Sequence, residues 1–371
     1  MDFSISEEQQ MLLDTTRRFI ASEYDFARRA KILASAQGWS RDVWLALGAL
    51  GVLAVDLDEA AGGIGAGPIG VMLVGQAVGE GLLLEPFLAS AVVATQLISR
   101  LGSAAQKQRW LPALASGQLI AVLADEEVEG GGAAIEARAE RQQGGWVLRG
   151  RKAAVHGASA AGLLLVTARD DEGALALFAV AADADGVRRT AFRTVDGQSA
   201  ADVDFDAVVV AADARLEGGD VAGRLRDAID RGIAALCAEA LGTLDRILRA
   251  TIEYSRARTQ FGVAIGSFQA LQHRMADMLM QVDQARSMTY VATTRCTDTD
   301  LREREIAISG AKALIGQAAR FVAQQAVQLH GGMGMTDELD VSHCFKRLLA
   351  FELRFGTTDE HLEACRRHLM S

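Results

Sequence analysis

The sequence predicts a mostly helical protein with a β domain at its centre. Three observations lead to this fold class. Alanine and leucine are abundant, while the chain has only 3 prolines and 5% aromatic residues. Helical apolar periodicity occupies both ends of the chain, whereas short β-type runs separated by Gly, Asp and Glu turns occupy the middle. A chain of 371 residues is also long enough for two or three domains with a sizeable core.

Residues 1–117 are predicted to form an N-terminal helical domain. Its first helix follows Ser6, a suitable N-cap residue. One face of that helix is predicted to be apolar and buried; it consists of Met11, Leu12, Thr15, Phe19 and Ile20. The later string "EAAGGIGAG" has neither a preceding strand nor the spacing of a phosphate-binding loop, so we interpret it as a turn.

Residues 118–218 are predicted to form the middle domain. The runs "LIAVLAD", "GGWVLRGRKAAV", "GLLLVTAR", "ALALFAVAA" and "VDFDAVVV" have the length and composition of strands. An all-β domain of this size is expected to be a small barrel or sandwich, and we predict a β-barrel.

Residues 219–371 are predicted to form a C-terminal four-helix bundle. Four long segments, 222–258, 268–296, 301–330 and 338–370, contain no proline and carry helical apolar periodicity. Their length suits antiparallel packing.

Composition excludes several classes of function. A formal net charge of −10 argues against a nucleic-acid surface, which needs a basic footprint. No uncharged apolar run reaches about 18 residues, so membrane insertion is not expected. The start "MDFSISEEQQ" is unlike a secretory signal. The four cysteines lack metal-ligand spacing, and we expect reduced thiols in a cytoplasmic protein.

Several strings resemble the acyl-CoA dehydrogenase family. "YSRARTQFGVAIGSFQALQHRMADM" (254–278), "AVQLHGGMGMT" (326–336) and "RFGTTDEHL" (354–362) are similar to its three C-terminal signatures. "EEQQMLLDTTRRF", "EAAGGIG", "GSAAQKQRWLPALASGQLIAVLAD" and "WVLRGRK" follow the family's order and spacing, so the resemblance covers essentially the whole chain. It implies an N-terminal helical domain, a β-barrel and a four-helix bundle.

The resemblance also implies flavin chemistry. FAD takes a hydride from Cβ of an acyl-CoA thioester while a carboxylate removes the α-proton, and electron-transfer flavoprotein is the expected electron acceptor. The cofactor-binding residues implied in this chain are Arg258, Phe261, Phe268, Gln269, Gln328, Gly331, Gly332, His156 and Thr357. Taken singly, each has a plainer interpretation: a surface arginine, two core phenylalanines, a glycine helix cap and a strand histidine.

The chain departs from the family at the catalytic base. The family's Tyr-Glu-Gly-Thr loop corresponds here to Arg354, Phe355, Gly356 and Thr357, and a phenyl ring cannot take a proton. Some relatives carry the glutamate about 30 residues before the glycine of "QFG", which corresponds here to Gly232. Both usual base positions are therefore empty, and we predict no catalytic base.

The middle domain departs as well. The family's Thr-Glu-Pro segment, which serves the pyrimidine side of the flavin, corresponds to residues 124–126, Ala-Asp-Glu. Its Trp-Ile-Thr/Ser segment, which covers the ring, corresponds to residues 154–156, Ala-Val-His. His156 remains open to two interpretations, a donor to the flavin or a hydrogen-bonded strand histidine.

These departures form a pattern. In the family each flavin is shared within a dimer, and the segments lent to the neighbour, around Arg258 and Gln328, are intact here. The segments that serve the chain's own flavin are altered. The chain thus resembles the small, non-catalytic subunit of bacterial heteromeric acyl-CoA dehydrogenases, α2β2 assemblies with a paralogous catalytic chain and half the usual flavins. Such assemblies degrade sterol side chains or unusual acids.

Two other functions stay open at this stage. The chain forms an active homo-oligomeric dehydrogenase if Glu352, Asp359 or Glu360, all near the loop, replaces the usual base. Alternatively, it is a binding or scaffold protein that has kept the fold and lost the chemistry.

Overall fold

The computed structural model describes residues 5–127 and 135–369 and confirms the predicted fold class, with helices at both ends and a sheet between them. The chain forms two compact units. The first comprises Met1–Arg28, Pro68–Leu83 and Ile233–Ser371, and the second comprises Arg29–Gly67 and Leu84–Gly232. The predicted domain boundaries at 117 and 218 stay predictions. The predictions for "MDFS" and for part of "EEVEGGG" concern residues outside the described ranges.

In the N-terminal third, the described residues form six α-helices and a π-helix at Phe87–Ala94. The α-helices are α1 (Glu7–Glu23), α2 (Phe26–Ala34), α3 (Arg41–Ala49), α4 (Gly67–Gly81), α5 (Thr95–Leu101) and α6 (Ala104–Ala115). Ser6 is the N-cap of α1, and its hydroxyl and backbone form a capping box with Gln9. Of the predicted apolar face of α1, Ile20 is buried, Leu12, Thr15 and Phe19 are half-buried, and Met11 is exposed. Leu13 and Thr16, each one position from a predicted residue, are buried as well.

The described residues in the middle of the chain form one eight-stranded sheet. The strands are β1 (Ala121–Ala124), β2 (Arg138–Gln142), β3 (Gly145–His156), β4 (Leu163–Arg169), β5 (Leu175–Ala181), β6 (Val187–Arg193), β7 (Ser199–Ala211) and β8 (Arg215–Leu216). Neighbouring strands pair in the order β6-β7-β3-β2-β4-β5-β8, and β1 pairs with β4. The sequence patterns did not predict β2, β6 or β8. The edge strand β6, "VRRTAFR", is almost entirely exposed, so it carries no apolar alternation.

The C-terminal helices are α7 (Val221–Ala257), α8 (Gln269–Arg295), α9 (Leu301–His330), α10 (Asp340–Leu353) and α11 (Thr358–Leu369). A small hairpin of β9 (Thr259–Gln260) and β10 (Val263–Ala264) joins α7 to α8. The segment 338–370, predicted as one helix, is two helices, because the backbone leaves the helical region at Arg354 and Phe355. The four cysteines form no disulfide bond, and burial raises the pKa of the Cys237 thiol to about 12.

One helical segment, Leu301–Met335, is long and apolar enough to cross a membrane by length and composition. In this fold it is a core helix, since 61% of its most apolar window is buried inside the protein. Core helices of soluble proteins meet the same criterion, so its hydropathy is weak support for a membrane span.

Within the first unit, α4 and α7 approach so closely that only glycine fits at their contact. A Cβ atom on Gly79 would lie 1.9 Å from the carbonyl oxygen of Glu239, and one on Gly242 would lie 2.0 Å from that of Gln76. Both obstacles are backbone atoms, which move only if a helix moves. The Thr243 hydroxyl also donates to the Gly79 carbonyl at 3.1 Å.

We expect Gly79→Ala and Gly242→Ala each to lower the free energy of unfolding by about 1–3 kcal/mol, because the added methyl group forces the two helices apart. Denaturant unfolding followed by circular dichroism measures this change. Gly310→Ala, in α9, is the matched control. Its nearest foreign atom would be a methionine methyl 3.9 Å away, so alanine there is expected to be neutral or up to about 1 kcal/mol stabilising. Equal effects at all three sites would contradict the helix-contact interpretation.

Candidate functional site

The hairpin after α7 carries Arg258 and Phe261. Arg258 follows the last residue of α7, its backbone N–H donates to the Tyr254 carbonyl at 2.8 Å, and its carbonyl accepts from the N–H of Ile265 at 2.9 Å. Its guanidinium group is exposed and has no ion-pair partner among the described residues. The backbone of Arg258 is therefore fixed, while its five N–H donors are available to an anion.

Phe261 stands at the tip of the hairpin in a strained conformation. Its φ is 55° and that of Gly262 is 80°, the pattern of a two-residue type I′ turn that normally favours Asn-Gly. The phenyl ring is 92% exposed, and its centroid lies 6.2 Å from that of Phe268 in an edge-to-face contact. Gln269, the first residue of α8, is also exposed. The exposed ring of Phe261 is therefore held by a backbone conformation that lowers the stability of the fold.

Gln328, Gly331 and Gly332 lie at the C-terminal end of α9, and all three are exposed. Gly331 has φ 59° and ψ −140°, a conformation accessible essentially to glycine alone. A Cβ atom at either glycine would meet nothing within 4 Å. The two glycines therefore leave open space beside bare backbone, which suits close approach of a ligand.

A contact that sequence analysis missed joins these two segments. The ring of Tyr254, near the end of α7, stacks on the ring of His330, the last residue of α9, with centroids 4.3 Å apart. The Nδ1–H of His330 donates to the Ala326 carbonyl at 2.8 Å, and the Tyr254 hydroxyl donates to the His330 carbonyl at 3.4 Å. The contact sets the ends of α7 and α9 side by side, so the Arg258 hairpin and the Gly331–Gly332 turn leave from neighbouring points.

The turn between α10 and α11 carries Phe355, half-buried with φ 56°. Nothing here offers a carboxylate at the usual base position. Thr357, predicted to contact the cofactor, is the N-cap of α11: its N–H donates to Glu360 at 2.7 Å, and the N–H of Glu360 donates to its hydroxyl at 3.3 Å. An exposed acid, Asp359, follows in the first turn of α11.

Glu352 also serves α11. The N–H of Thr358 donates to its Oε1 and the hydroxyl of Thr358 donates to its Oε2, both at 2.8 Å. Hydrogen bonds from Thr357 also hold the pKa of Glu360 below its usual range, despite some burial. Glu352 and Glu360 therefore cap the N-terminus of α11 and are poorly suited to removing a substrate proton.

In the second unit, the altered flavin-side positions lie at a β-bulge of β3. Ala154 has φ 48°, the register between β3 and β7 shifts between Lys152 and Val155, and the N–H of Ala154 donates to Asp202 at 3.0 Å. His156 ends β3 opposite Ala200, with its ring half-buried. The β-bulge therefore interrupts the regular pairing of β3 at Ala154, whose side chain is only a methyl group.

Residues Asp125 and Glu127 belong to a buried polar cluster around Lys152, which sequence analysis missed. The Lys152 ammonium is fully buried and donates to Glu127, to the Asp125 carbonyl at 3.1 Å and to Thr167 at 2.9 Å. Thr167 in turn donates to the Asp125 carboxylate at 2.9 Å, and burial raises the pKa of Asp125. The cluster fixes the backbone after β1.

Gly232, the second base position, is buried within α7 and offers no side chain. Its neighbour Arg231 donates to both carboxylate oxygens of Asp56 at 2.8 Å, and Gln96 donates to the same carboxylate at 2.7 Å. The only charged group beside Gly232 in sequence is thus neutralised by an ion pair.

Comparison with known proteins identifies the class to which this fold and site belong. The N-terminal, middle and C-terminal domains of acyl-CoA dehydrogenases match residues 6–118, 127–208 and 223–370. The acyl-CoA dehydrogenase FadE27 of Mycobacterium tuberculosis is 30% identical over 375 residues, covering 100% of this chain and 99% of the relative. The chain belongs to the acyl-CoA dehydrogenase family.

Two solved structures support the same assignment. A chain of the ChsE4-ChsE5 complex from Mycobacterium tuberculosis superposes with a TM-score of 0.90 at 29% identity, covering 100% of this chain and 99% of that chain. The steroid acyl-CoA dehydrogenase Tcur3481-Tcur3483 gives a TM-score of 0.89 at 27% identity, covering 98% of both chains.

FAD is the cofactor of this family, and one group of residues fits it. The free guanidinium of Arg258 suits a pyrophosphate, the exposed Phe261 ring suits an aromatic or ribityl surface, and the bare backbone at Gly331 and Gly332 admits a ligand in close contact. Three of the five non-glycine residues with positive φ among the described residues are Ala154, Phe261 and Phe355, all at positions that correspond to family flavin or base segments. Strain of this kind persists mainly at functional sites.

We expect Phe261→Asn to stabilise the isolated chain by about 1 kcal/mol, because asparagine tolerates the left-handed region far better than phenylalanine. The same variant should retain less FAD in its oligomer, since it loses the exposed ring. Thermal unfolding and flavin absorbance measure the two effects. Phe261→Leu, which removes the ring but keeps the strain, is the control. If Asn is no more stable than Leu, the turn assignment is wrong.

Proposed function

We propose that this chain is a subunit of a heteromeric FAD-dependent acyl-CoA dehydrogenase and completes the flavin site of a paralogous catalytic subunit in an α2β2 assembly. The reaction is α,β-dehydrogenation of an acyl-CoA thioester from a fatty acid or sterol side chain, with electrons passed to electron-transfer flavoprotein in the cytoplasm. One observation carries the proposal: the residues suited to the phosphate end of FAD are free and exposed, whereas Phe355 occupies the base position.

The chemistry explains why this contrast matters. Dehydrogenation removes an α-proton and a β-hydride, and bound FAD supplies the hydride acceptor. The proton needs a base within hydrogen-bond reach. Neither the phenyl ring of Phe355 nor the missing side chain of Gly232 accepts a proton, and Glu352 and Glu360 are engaged by Thr358 and Thr357. A partner chain with a glutamate at the position of Phe355 supplies what is missing.

The relatives give independent support. The ChsE4-ChsE5 structure is a complex of two differently named chains, and Tcur3481-Tcur3483 likewise pairs two names and is described as a steroid acyl-CoA dehydrogenase. Both resemble this chain over nearly its whole length. Complexes of two differently named chains therefore exist among proteins that are 27–29% identical to this chain. A chain that supplies only half of a flavin site needs such a partner.

A homo-oligomeric dehydrogenase with another base is the second candidate. Asp359 is the carboxylate near Phe355 that favours it, because Asp359 is exposed and caps nothing in the described structure. The scaffold alternative lacks comparable support, since a protein without chemistry has no reason to keep Phe261 strained and exposed.

We expect the purified chain alone to contain little FAD, and co-expression with the paralogous glutamate-bearing subunit to give about one FAD per pair of chains with acyl-CoA dehydrogenase activity. Flavin absorbance against protein concentration gives the ratio. Arg258→Ala in this chain should lower the flavin content of the pair, because a pyrophosphate ligand is lost.

Arg256→Ala is the matched control, since Arg256 is an exposed arginine two residues away at the end of α7. One FAD per chain and turnover by the chain alone would overturn the heteromeric proposal in favour of the homo-oligomer. An active pair whose flavin content ignores Arg258→Ala would favour the scaffold.

A further inference from the structure

The two segments suited to the phosphate end of FAD leave from the ends of different helices. The Arg258 hairpin follows α7, and the Gly331–Gly332 turn follows α9. A single diphosphate contacts both segments at little cost only if the two helix ends keep a fixed relative position, because ordering loose groups on binding weakens affinity. The contacts that fix this position are therefore part of how the site binds its ligand.

Each segment folds back onto the end of its own helix. A Cβ atom on Gly266 would lie 3.0 Å from the Ser255 carbonyl oxygen, so the chain after the hairpin packs directly on the end of α7. A Cβ atom on Gly334 would lie 2.8 Å from the Val327 carbonyl oxygen and 3.0 Å from the Cβ of His330, so the turn packs on the end of α9. The hairpin thus moves with α7, and the turn moves with α9.

Tyr254 connects the two helix ends. Its carbonyl oxygen accepts from the N–H of Arg258 at 2.8 Å, and its ring stacks on that of His330 with an interplanar angle of 27°. Its hydroxyl donates to the His330 carbonyl at 3.4 Å, which is long for a hydrogen bond. Within the described residues, no other side-chain hydrogen bond or ring contact joins residues 254–268 to residues 326–336. Tyr254 therefore contacts both of the segments that the ligand needs.

His330 offers Tyr254 a ring whose orientation is fixed. The side chain is 4% exposed, and its Nδ1–H donates to the Ala326 carbonyl at 2.8 Å. Burial lowers the pKa of His330, which favours the neutral ring. The next residue, Gly331, begins the turn, so the stacked ring and the bare backbone leave α9 from the same point.

We propose that Tyr254 and His330 are positioning residues for FAD: their stacked rings hold the Arg258 guanidinium and the backbone at Gly331 and Gly332 where one diphosphate contacts both. The inference rests on the proposed function for the ligand. It applies equally whether a second copy of this chain or a paralogue supplies the rest of the flavin site, so it does not depend on which residue acts as the base.

A double-mutant cycle tests the proposal. FAD is titrated by calorimetry into the flavin-free assembly, prepared both from this chain alone and from this chain with the paralogous subunit. We expect Tyr254→Leu to weaken FAD binding about 2–10-fold, the range of one aromatic pair. Arg258→Ala should then weaken FAD by a smaller factor in Tyr254→Leu than in the wild type, because the guanidinium is already out of place. His330→Leu should behave like Tyr254→Leu.

Two control variants separate positioning from a general loss of stability. Tyr254→Phe keeps the stacked ring and loses only the long hydrogen bond, so it should stay within about 2-fold of the wild-type affinity and keep the full effect of Arg258→Ala. Tyr290→Leu removes another half-buried tyrosine, near the end of α8 that lies away from the hairpin. It should leave both the FAD affinity and the effect of Arg258→Ala unchanged.

Three results would each overturn the proposal: unchanged FAD affinity in Tyr254→Leu, independent effects of Tyr254→Leu and Arg258→Ala, or equal losses in Tyr254→Phe and Tyr254→Leu. Absence of FAD binding from both assemblies would overturn it as well. Coupled effects in an assembly of this chain alone would support the positioning role and contradict the heteromeric subunit, so the two proposals fail separately.

Discussion

The contact between the backbones of α4 and α7 is the constraint on which the first unit depends. Glycines at 79 and 242 let the two helices touch, and that contact fixes the position of α7. Glu239, whose carbonyl faces Gly79, also forms a buried ion pair with Arg347 of α10 at 2.6 Å, and Arg347 donates to the Leu83 carbonyl at 2.8 Å. Because burying two charges is tolerated only when both are well bonded, this pair specifies how α10 packs.

Both functional segments of the unit follow from the position of α7. Its C-terminal end carries Tyr254, whose stacking on His330 aligns the end of α9 with the Arg258 hairpin. Through Arg347 it also holds α10, which ends at the Phe355 turn. A single helix therefore supports both the exposed segments around Arg258 and Gly331 and the turn that carries Phe355.

Two residues of the candidate site, Phe261 and Phe355, have a strained backbone. Phe261 and Phe355 both stand in the left-handed region, at a cost of roughly 1–2 kcal/mol for each residue. At Phe261 the exposed ring is what the strain presents. At Phe355 the strained residue is half-buried and carries no ionisable group. Four ionisable side chains, Lys312, Glu352, Glu360 and His361, bind that turn and its following helix.

The sequence by itself determined the fold class and the family, because helical periodicity, strand composition and spaced signatures are local properties of the chain. The residues of the candidate site stay predictions. It also established that Phe355 and Gly232 cannot act as bases, which is a matter of side-chain chemistry. It placed Met11 on the buried face of α1, although that apolar side chain is exposed. It missed β6, because that strand is almost entirely exposed and shows no apolar alternation.

Only the tertiary structure decided the roles that depend on partners distant in the chain. Glu352 was a candidate base by its distance from Phe355 along a helix, but the helix ends at Leu353 and its carboxylate caps α11. The contacts of Lys152, His330 and Lys312 join segments separated by 15 to 76 residues, as between Lys152 and Thr167 or Tyr254 and His330. Hydrogen bonds and ring contacts of this kind arise when elements pack, so no local pattern in the sequence announces them.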